Sequence, residues 1–187
     1  MTKIDVKPRR IPGLFDVSFT PFVDNRGHLF KYYEPNQFSA IRKGIEWRQV
    51  IIQRTNEEHV LRGVHAQAPP FVESKLLVPL SGRIFWVAVD LRKDSSHFGQ
   101  WDAVELYPER PVGLYAERGF AHGCYSLAPN TELLILADND YAAGLGIHWQ
   151  DPDLAIKWPL LRPNPIISKV HQELPSFKDF CNQYGGL

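Results

Sequence analysis

The chain predicts an all-β fold, a sandwich or barrel of short strands. Short apolar or alternating runs are separated by clusters of Gly, Pro, Asn and Asp at roughly ten-residue intervals, and only two stretches carry helical spacing. The first β-rich segment is Gly13-Leu14-Phe15-Asp16-Val17-Ser18-Phe19-Thr20. A short helix is expected from about Asn36 to Lys43, where Phe38 and Ile41 fall on one face. Strands follow at Val50-Ile51-Ile52, Lys75 to Leu80, Ile84 to Leu91, Ala103 to Tyr107 and Glu132 to Ala137. Leu80-Ser81-Gly82-Arg83 reads as a tight hairpin turn. Pro108 and Pro111 end the strand before them, because proline cannot donate to a sheet ladder. A second helix is expected from about Ser176 to Gln183, with Phe177, Phe180 and Cys181 together on one side.

No repeat, low-complexity segment or linker divides the chain, so residues 1–187 read as one domain. A hydrophobic fraction of 44% argues against disorder. Twenty-one basic residues balance 21 acidic ones, which leaves no global field to attract nucleic acid or an anionic membrane. An anionic ligand must therefore be met by local groups. Cys124 and Cys181 form no disulfide framework and match no zinc spacing. The N-terminus has no apolar run of the signal-peptide kind, and a cytoplasmic location is expected.

Chemistry concentrates in Leu61-Arg62-Gly63-Val64-His65, in Lys75, and in Gly119-Phe120-Ala121-His122-Gly123. Such a set suits removal of a proton from carbon: an imidazole takes the proton and an ammonium faces the oxyanion that develops. A guanidinium would anchor a phosphate. A metal site is the competing reading for His65 and His122 in a small barrel. His65 is followed by Ala66-Gln67, with no second imidazole two places on to share the strand face, and Lys75 would repel a cation, so no metal is expected.

The chain resembles the dTDP-4-dehydrorhamnose 3,5-epimerases, cupin-fold jelly-roll enzymes acting on nucleotide-linked 4-keto-6-deoxysugars. The resemblance runs from Phe22-Val23-Asp24-Asn25-Arg26-Gly27 through Leu61-Arg62-Gly63-Val64-His65, Val89-Asp90-Leu91-Arg92, Phe98-Gly99-Gln100-Trp101 and Gly119-Phe120-Ala121-His122-Gly123 to Trp149-Gln150-Asp151-Pro152 and Trp158-Pro159. It implies an all-β cupin-type jelly roll with no cofactor. It also implies that His65 is the general base, that Lys75 steadies the enolate, and that Arg26 and Arg62 grip the nucleotide diphosphate or sugar. His122 would line the pocket and Tyr141 would stack on the nucleotide base. Relatives of this family form homodimers by exchanging N-terminal strands, and the segment Gly13 to Thr20 is the candidate here.

Departures from the family pattern fall at the site. The tyrosine that serves as general acid aligns with Ile135, and the aspartate that orients the base aligns near His171, a possible second-layer residue. A family Phe-Asp-Val strand reads Phe85-Trp86-Val87, which implies a more apolar pocket; Lys31 replaces a glutamate, and Ile52 an asparagine. His59, His97 and His148 read as surface or turn residues, and Asp90 with Arg92 as a structural pair. The resulting expectation is a 3- and/or 5-epimerase of deoxysugar or surface-polysaccharide synthesis. A catalytically silent sugar-nucleotide-binding relative and a keto-sugar isomerase are the alternatives.

Overall fold

A computed structural model describes residues 1–187. Its strands are β1 (Lys3–Pro8), β2 (Leu14–Thr20), β3 (Phe22–Asp24), β4 (Gly27–Leu29), β5 (Gln49–Thr55), β6 (Val60–Gln67) and β7 (Lys75–Ser81). They continue as β8 (Ile84–Asp90), β9 (Trp101–Leu106), β10 (Val112–Ala116), β11 (Phe120–Ser126), β12 (Thr131–Ala137), β13 (Gly144–Gly146) and β14 (Ile166–Ile167). Three short helices complete the chain: α1 (Pro35–Phe38), α2 (Lys169–Gln172) and α3 (Phe177–Tyr184).

Two six-stranded sheets result. The first has the order β1-β2-β10-β7-β12-β5, and the second β13-β6-β11-β8-β9 with β14 beside β6. This is the expected all-β jelly roll. Leu77, Leu114, Leu133 and Ile135 of the first sheet meet Ile84, Trp86, Val104, Leu106 and Cys124 of the second in one buried cluster. Alternation along β7 sends Leu76 and Val78 to the opposite face, where Val17, Phe19, Phe38 and Tyr115 cover them. On the outer face of the second sheet, Val87, Val89 and Leu91 pack against Ile147, Leu154 and Phe180. Both faces of the central strands are therefore buried, which explains the continuous apolar runs in place of strict alternation.

Several sequence expectations need correction. The turn at Ser81-Gly82 closes no hairpin, because β7 lies between β10 and β12 while β8 belongs to the other sheet. It is a corner between layers. The first helix stops after Phe38, with a further turn in which the Arg42 N–H donates to the Phe38 carbonyl. The second runs as expected, fixed by a capping box between Ser176 and Asp179 and ended by Gly185 in the left-handed region. β1, β3, β4, β10, β13, β14 and α2 are additional to the elements expected from the sequence. The segment from Gly13 to Thr20 forms β2 from Leu14 onward, paired on both sides, with β1 and with β10. The two edges of that sheet are β1 and β5.

Candidate active site

Beside the packed cluster the two sheets leave a cavity of about 670 Å³, a size suited to a ligand larger than a simple sugar. β6 supplies one wall through Arg62, His65, Ala66 and Gln67. β5, the start of β7 and β12 supply the facing wall, with Tyr141 and α2 at the rim. Arg54, Arg62 and Lys75 outnumber the single lining carboxylate, Glu73, so the cavity favours an anion.

Gly63 sets the local geometry of the β6 wall. It has φ +89°, and a Cβ there would collide with the His122 carbonyl oxygen on neighbouring β11 and press on His65 Nδ1. Only glycine lets β6 approach β11 this closely. The register then sets His65 opposite His122. His65 lines the cavity, and its ring lies parallel to that of His171, with centroids 5.5 Å apart and planes inclined by 12°. The Gly63 N–H donates to His171 Nδ1 at 3.4 Å, so neutral His171 carries its proton on Nε2. His171 therefore stacks on the base and gives it no carboxylate-like hydrogen bond; His65 Nδ1 is buried without a partner.

Electrostatics keep these rings neutral. Burial, then the charge of Lys75, then His171 and Arg62, push His65 down to about 3. Burial and Arg62 also lower His171. At neutral pH His65 is an unprotonated imidazole able to accept a proton, and its conjugate acid is strongly disfavoured until negative charge appears nearby.

Lys75 opens β7 on the facing wall, its Nζ 2.9 Å from Glu73 Oε1, with both side chains nearly buried. Gln49 Nε2 donates to the Asn139 carbonyl at 2.6 Å and lies 3.5 Å from Glu73 Oε2. Ile51, Ile52 and Ile135 form the apolar part of the same wall. Ile135 thus occupies the cavity where the family pattern has its acid. Tyr141 stands at the rim and is 81% exposed, on a loop tethered by the bidentate pair of Arg48 with Asp140.

Four residues expected at the site are placed differently. His122 is 2% exposed and does not line the cavity. It faces a closed gap behind Lys75 and Glu73, and its Nδ1 accepts a 3.2 Å hydrogen bond from Trp86 Nε1. Trp86 likewise lies in the interlayer core, so it does not make the cavity wall more apolar. Arg26 sits on the β3–β4 turn with 82% of its side chain exposed and pairs with Asp24 at 2.6 Å, outside the cavity of its own chain. Lys31 is also elsewhere, paired with Glu34. Of the histidines taken as surface or turn residues, His59 has a specific partner, the Tyr125 hydroxyl at 2.9 Å. Asp90 and Arg92 form the structural pair expected of them. Glu73, Gln49 and Gln53 were missed as lining residues; the one available signal for Glu73 was its position two places before Lys75, on the same strand-like face.

A family profile described as dTDP-4-dehydrorhamnose 3,5-epimerase matches residues 8–179. The dTDP-4-dehydrorhamnose 3,5-epimerase of Mycobacterium tuberculosis is 34% identical over 174 residues, covering 90% of this chain and 85% of that protein. The crystal structure of an epimerase from the same organism superposes with TM-score 0.89 at 33% identity, covering 97% of this chain and 92% of that one. A 3'-monoepimerase from Streptomyces bikiniensis, solved with dTDP-quinovose, matches with TM-score 0.84 at 27% identity over 95% of this chain and 90% of that one. With its jelly roll, its paired His65 and Lys75 and this extent of similarity, the chain belongs to the dTDP-4-dehydrorhamnose 3,5-epimerase family.

Proposed function

We propose that this protein inverts carbon 3, carbon 5 or both of a nucleotide-linked 4-keto-6-deoxyhexose through an enolate, as a step in deoxysugar synthesis. The observation that carries this reading is the placement of neutral His65 and the Lys75 ammonium on opposite walls of one cationic cavity. The 4-keto group acidifies the hydrogens on its neighbouring carbons. His65 takes one of them, and Lys75 faces the oxygen on which charge develops, in surroundings where that charge is poorly solvated. Arg62, whose buried Nε has no protein partner, supplies a guanidinium to the diphosphate, and Tyr141 offers its ring to the base at the rim.

We also propose a homodimer. Phe22, Val23 and Leu29 on the β3–β4 hairpin and Val50, Ile51 and Ile52 on the β5 edge are exposed apolar residues. Pairing of two copies covers both surfaces and protects the β5 edge. Because β5 is also a cavity wall, a partner's hairpin seated there carries its Arg26 to the cavity mouth, which restores the phosphate-gripping role that Arg26 cannot have within its own chain. A measured solution mass near the 21.5 kDa of one chain counts against the dimer. No helix is long and apolar enough to cross a membrane, and a cytoplasmic site of action accords with a nucleotide-sugar substrate.

The reading is tested by incubating the protein with dTDP-4-keto-6-deoxyglucose in deuterated water and following the sugar by proton magnetic resonance. Deuterium entering next to the ketone supports it. Binding of the nucleotide sugar without any wash-in would identify a silent binding relative.

A further inference from the structure

Inversion of a carbon needs a proton removed on one face and returned on the other. His65 occupies the β6 wall, so the returning group must stand on the wall opposite. That wall presents Gln49, Ile51, Ile52, Gln53 and Arg54 from β5, Ile135 from β12, and the pair Glu73 and Lys75. The isoleucines hold no acidic proton, and the amides of Gln49 and Gln53 are far too weak as acids. Arg54 does not deprotonate in proteins, is 62% exposed, and faces Glu132 at 3.6 Å. Lys75 is only 14% exposed and carries three N–H groups, its Nζ lying 2.9 Å from Glu73 Oε1 in an ion pair.

We propose that Lys75 is the general acid of this chain, returning the proton to the substrate carbon, and that Glu73 is the positioning residue that aims its ammonium. This rests on the epimerase reading. In the first step the carbon–hydrogen bond breaks, its proton goes to His65, and its electron pair forms the enolate. In the second, an N–H bond of Lys75 breaks, its proton forms the new carbon–hydrogen bond on the opposite face, and the ketone is restored. His65 then releases its proton to solvent and the neutral Lys75 amine takes one up, so nothing is consumed. Glu73 holds the ammonium against the wall, where it reaches the carbon from the side that His65 does not face.

The readout is the ratio of inversion to deuterium wash-in on dTDP-4-keto-6-deoxyglucose, a quantity that partial misfolding does not change. Without the acid, His65 still removes and replaces a hydrogen on its own face, so wash-in proceeds with configuration retained. Lys75→Arg keeps a cation beside the enolate oxygen but removes the transferable proton. The expected result is wash-in within about tenfold of the natural protein and a ratio lower by about 10²–10⁴, the usual worth of a positioned acid. Glu73→Gln, nearly isosteric, should lower the ratio several-fold by freeing the ammonium. Tyr141→Phe, which tests the rival donor at the rim, should lower the ratio far less than Lys75→Arg does. An unaltered ratio in Lys75→Arg overturns the proposal, as does a collapsed ratio in Tyr141→Phe, which would assign the proton to the phenol. Wash-in without inversion in the natural protein overturns the acid while sparing the base; absence of wash-in overturns the epimerase reading itself and this inference with it.

Discussion

The β6 wall of the cavity carries Arg62 and His65, whereas the wall built by β5, β7 and β12 presents Ile51, Ile52 and Ile135 among Gln49, Gln53 and Arg54 and holds the ion pair of Lys75 with Glu73. The two walls meet the same ligand with different chemistry. A wall whose imidazole is held neutral is equipped to remove a proton, and the isoleucines of the facing wall raise the electrostatic weight of Lys75, the nearly buried cation there, over that of the exposed Arg54. On the proposed mechanism enolate formation and inversion are separable: the first depends on His65 with Lys75, and the second on the group of the facing wall that returns the proton.

The sharpest break in this comparison is His65→Asn. The amide keeps hydrogen-bonding capacity but accepts no proton, so wash-in should fall by about 10²–10⁴ while nucleotide-sugar affinity stays within a few-fold. Isothermal titration beside the magnetic-resonance assay measures both. Retained wash-in would remove His65 from the mechanism.

The neutral imidazoles also make stability depend on pH. Burial, then the charge of Lys75, push His65 from the ordinary 6.5 down to about 3, and burial, then Lys75 and His65, push His122 well below its ordinary value. Below about pH 6.5 the unfolded chain binds these protons and the folded chain does not, so stability is fullest above that pH and declines as the pH falls toward 3. For His65 alone the loss reaches about 2 kcal/mol at pH 5. Urea denaturation from pH 7.5 to 4.5 checks this, and His65→Asn should flatten the slope. The base's acid limb in kcat/KM should correspondingly lie near its depressed native value, well below the usual range for a histidine.

The wall of β6 was the more legible one. Arg62, Gly63 and His65 are contiguous in the chain, so a strand plus a glycine suffices to place them, and Lys75 followed from the same resemblance. What escaped required knowledge of how layers pair. The corner at Gly82 looks like a hairpin because strand ends and strand turns use the same residues, and only the pairing of β7 with β10 and β12 separates the two. The resemblance implied that His122 lines the pocket, yet its ring turns toward Trp86, a contact between strands that no spacing reveals. Glu73 was overlooked since its meaning lies in the 2.9 Å contact with Lys75. The position of Arg26, paired with Asp24 outside the cavity of its own chain, is likewise a property of three-dimensional placement.

Ile135→Tyr sharpens the comparison by giving the apolar wall a second donor. Ile135 is 6% exposed at the cavity edge, so the larger ring must extend into the open space. Overpacking should lower stability by about 1–3 kcal/mol. If inversion is limited by proton return, the ratio of inversion to wash-in rises several-fold despite that loss; an unchanged ratio would show that Lys75 already returns the proton faster than the enolate collapses.

The smallest expected effect concerns the rim. Asp140 is held below the usual carboxylate range by the Arg48 guanidinium, and both side chains are more than half exposed. Exposed ion pairs add little to stability, so Asp140→Asn should leave the melting temperature nearly unchanged at moderate salt. Its consequence is local. Asp140 precedes Tyr141, and the bidentate contact with Arg48 ties that residue's loop to the segment leading into β5. Loosening the tether lets the phenol sample positions away from the base, which should weaken nucleotide affinity a few-fold and leave the inversion-to-wash-in ratio at saturation untouched. A changed ratio would mean that the rim reaches into the chemistry of the apolar wall, and that base stacking and proton return are coupled through Tyr141.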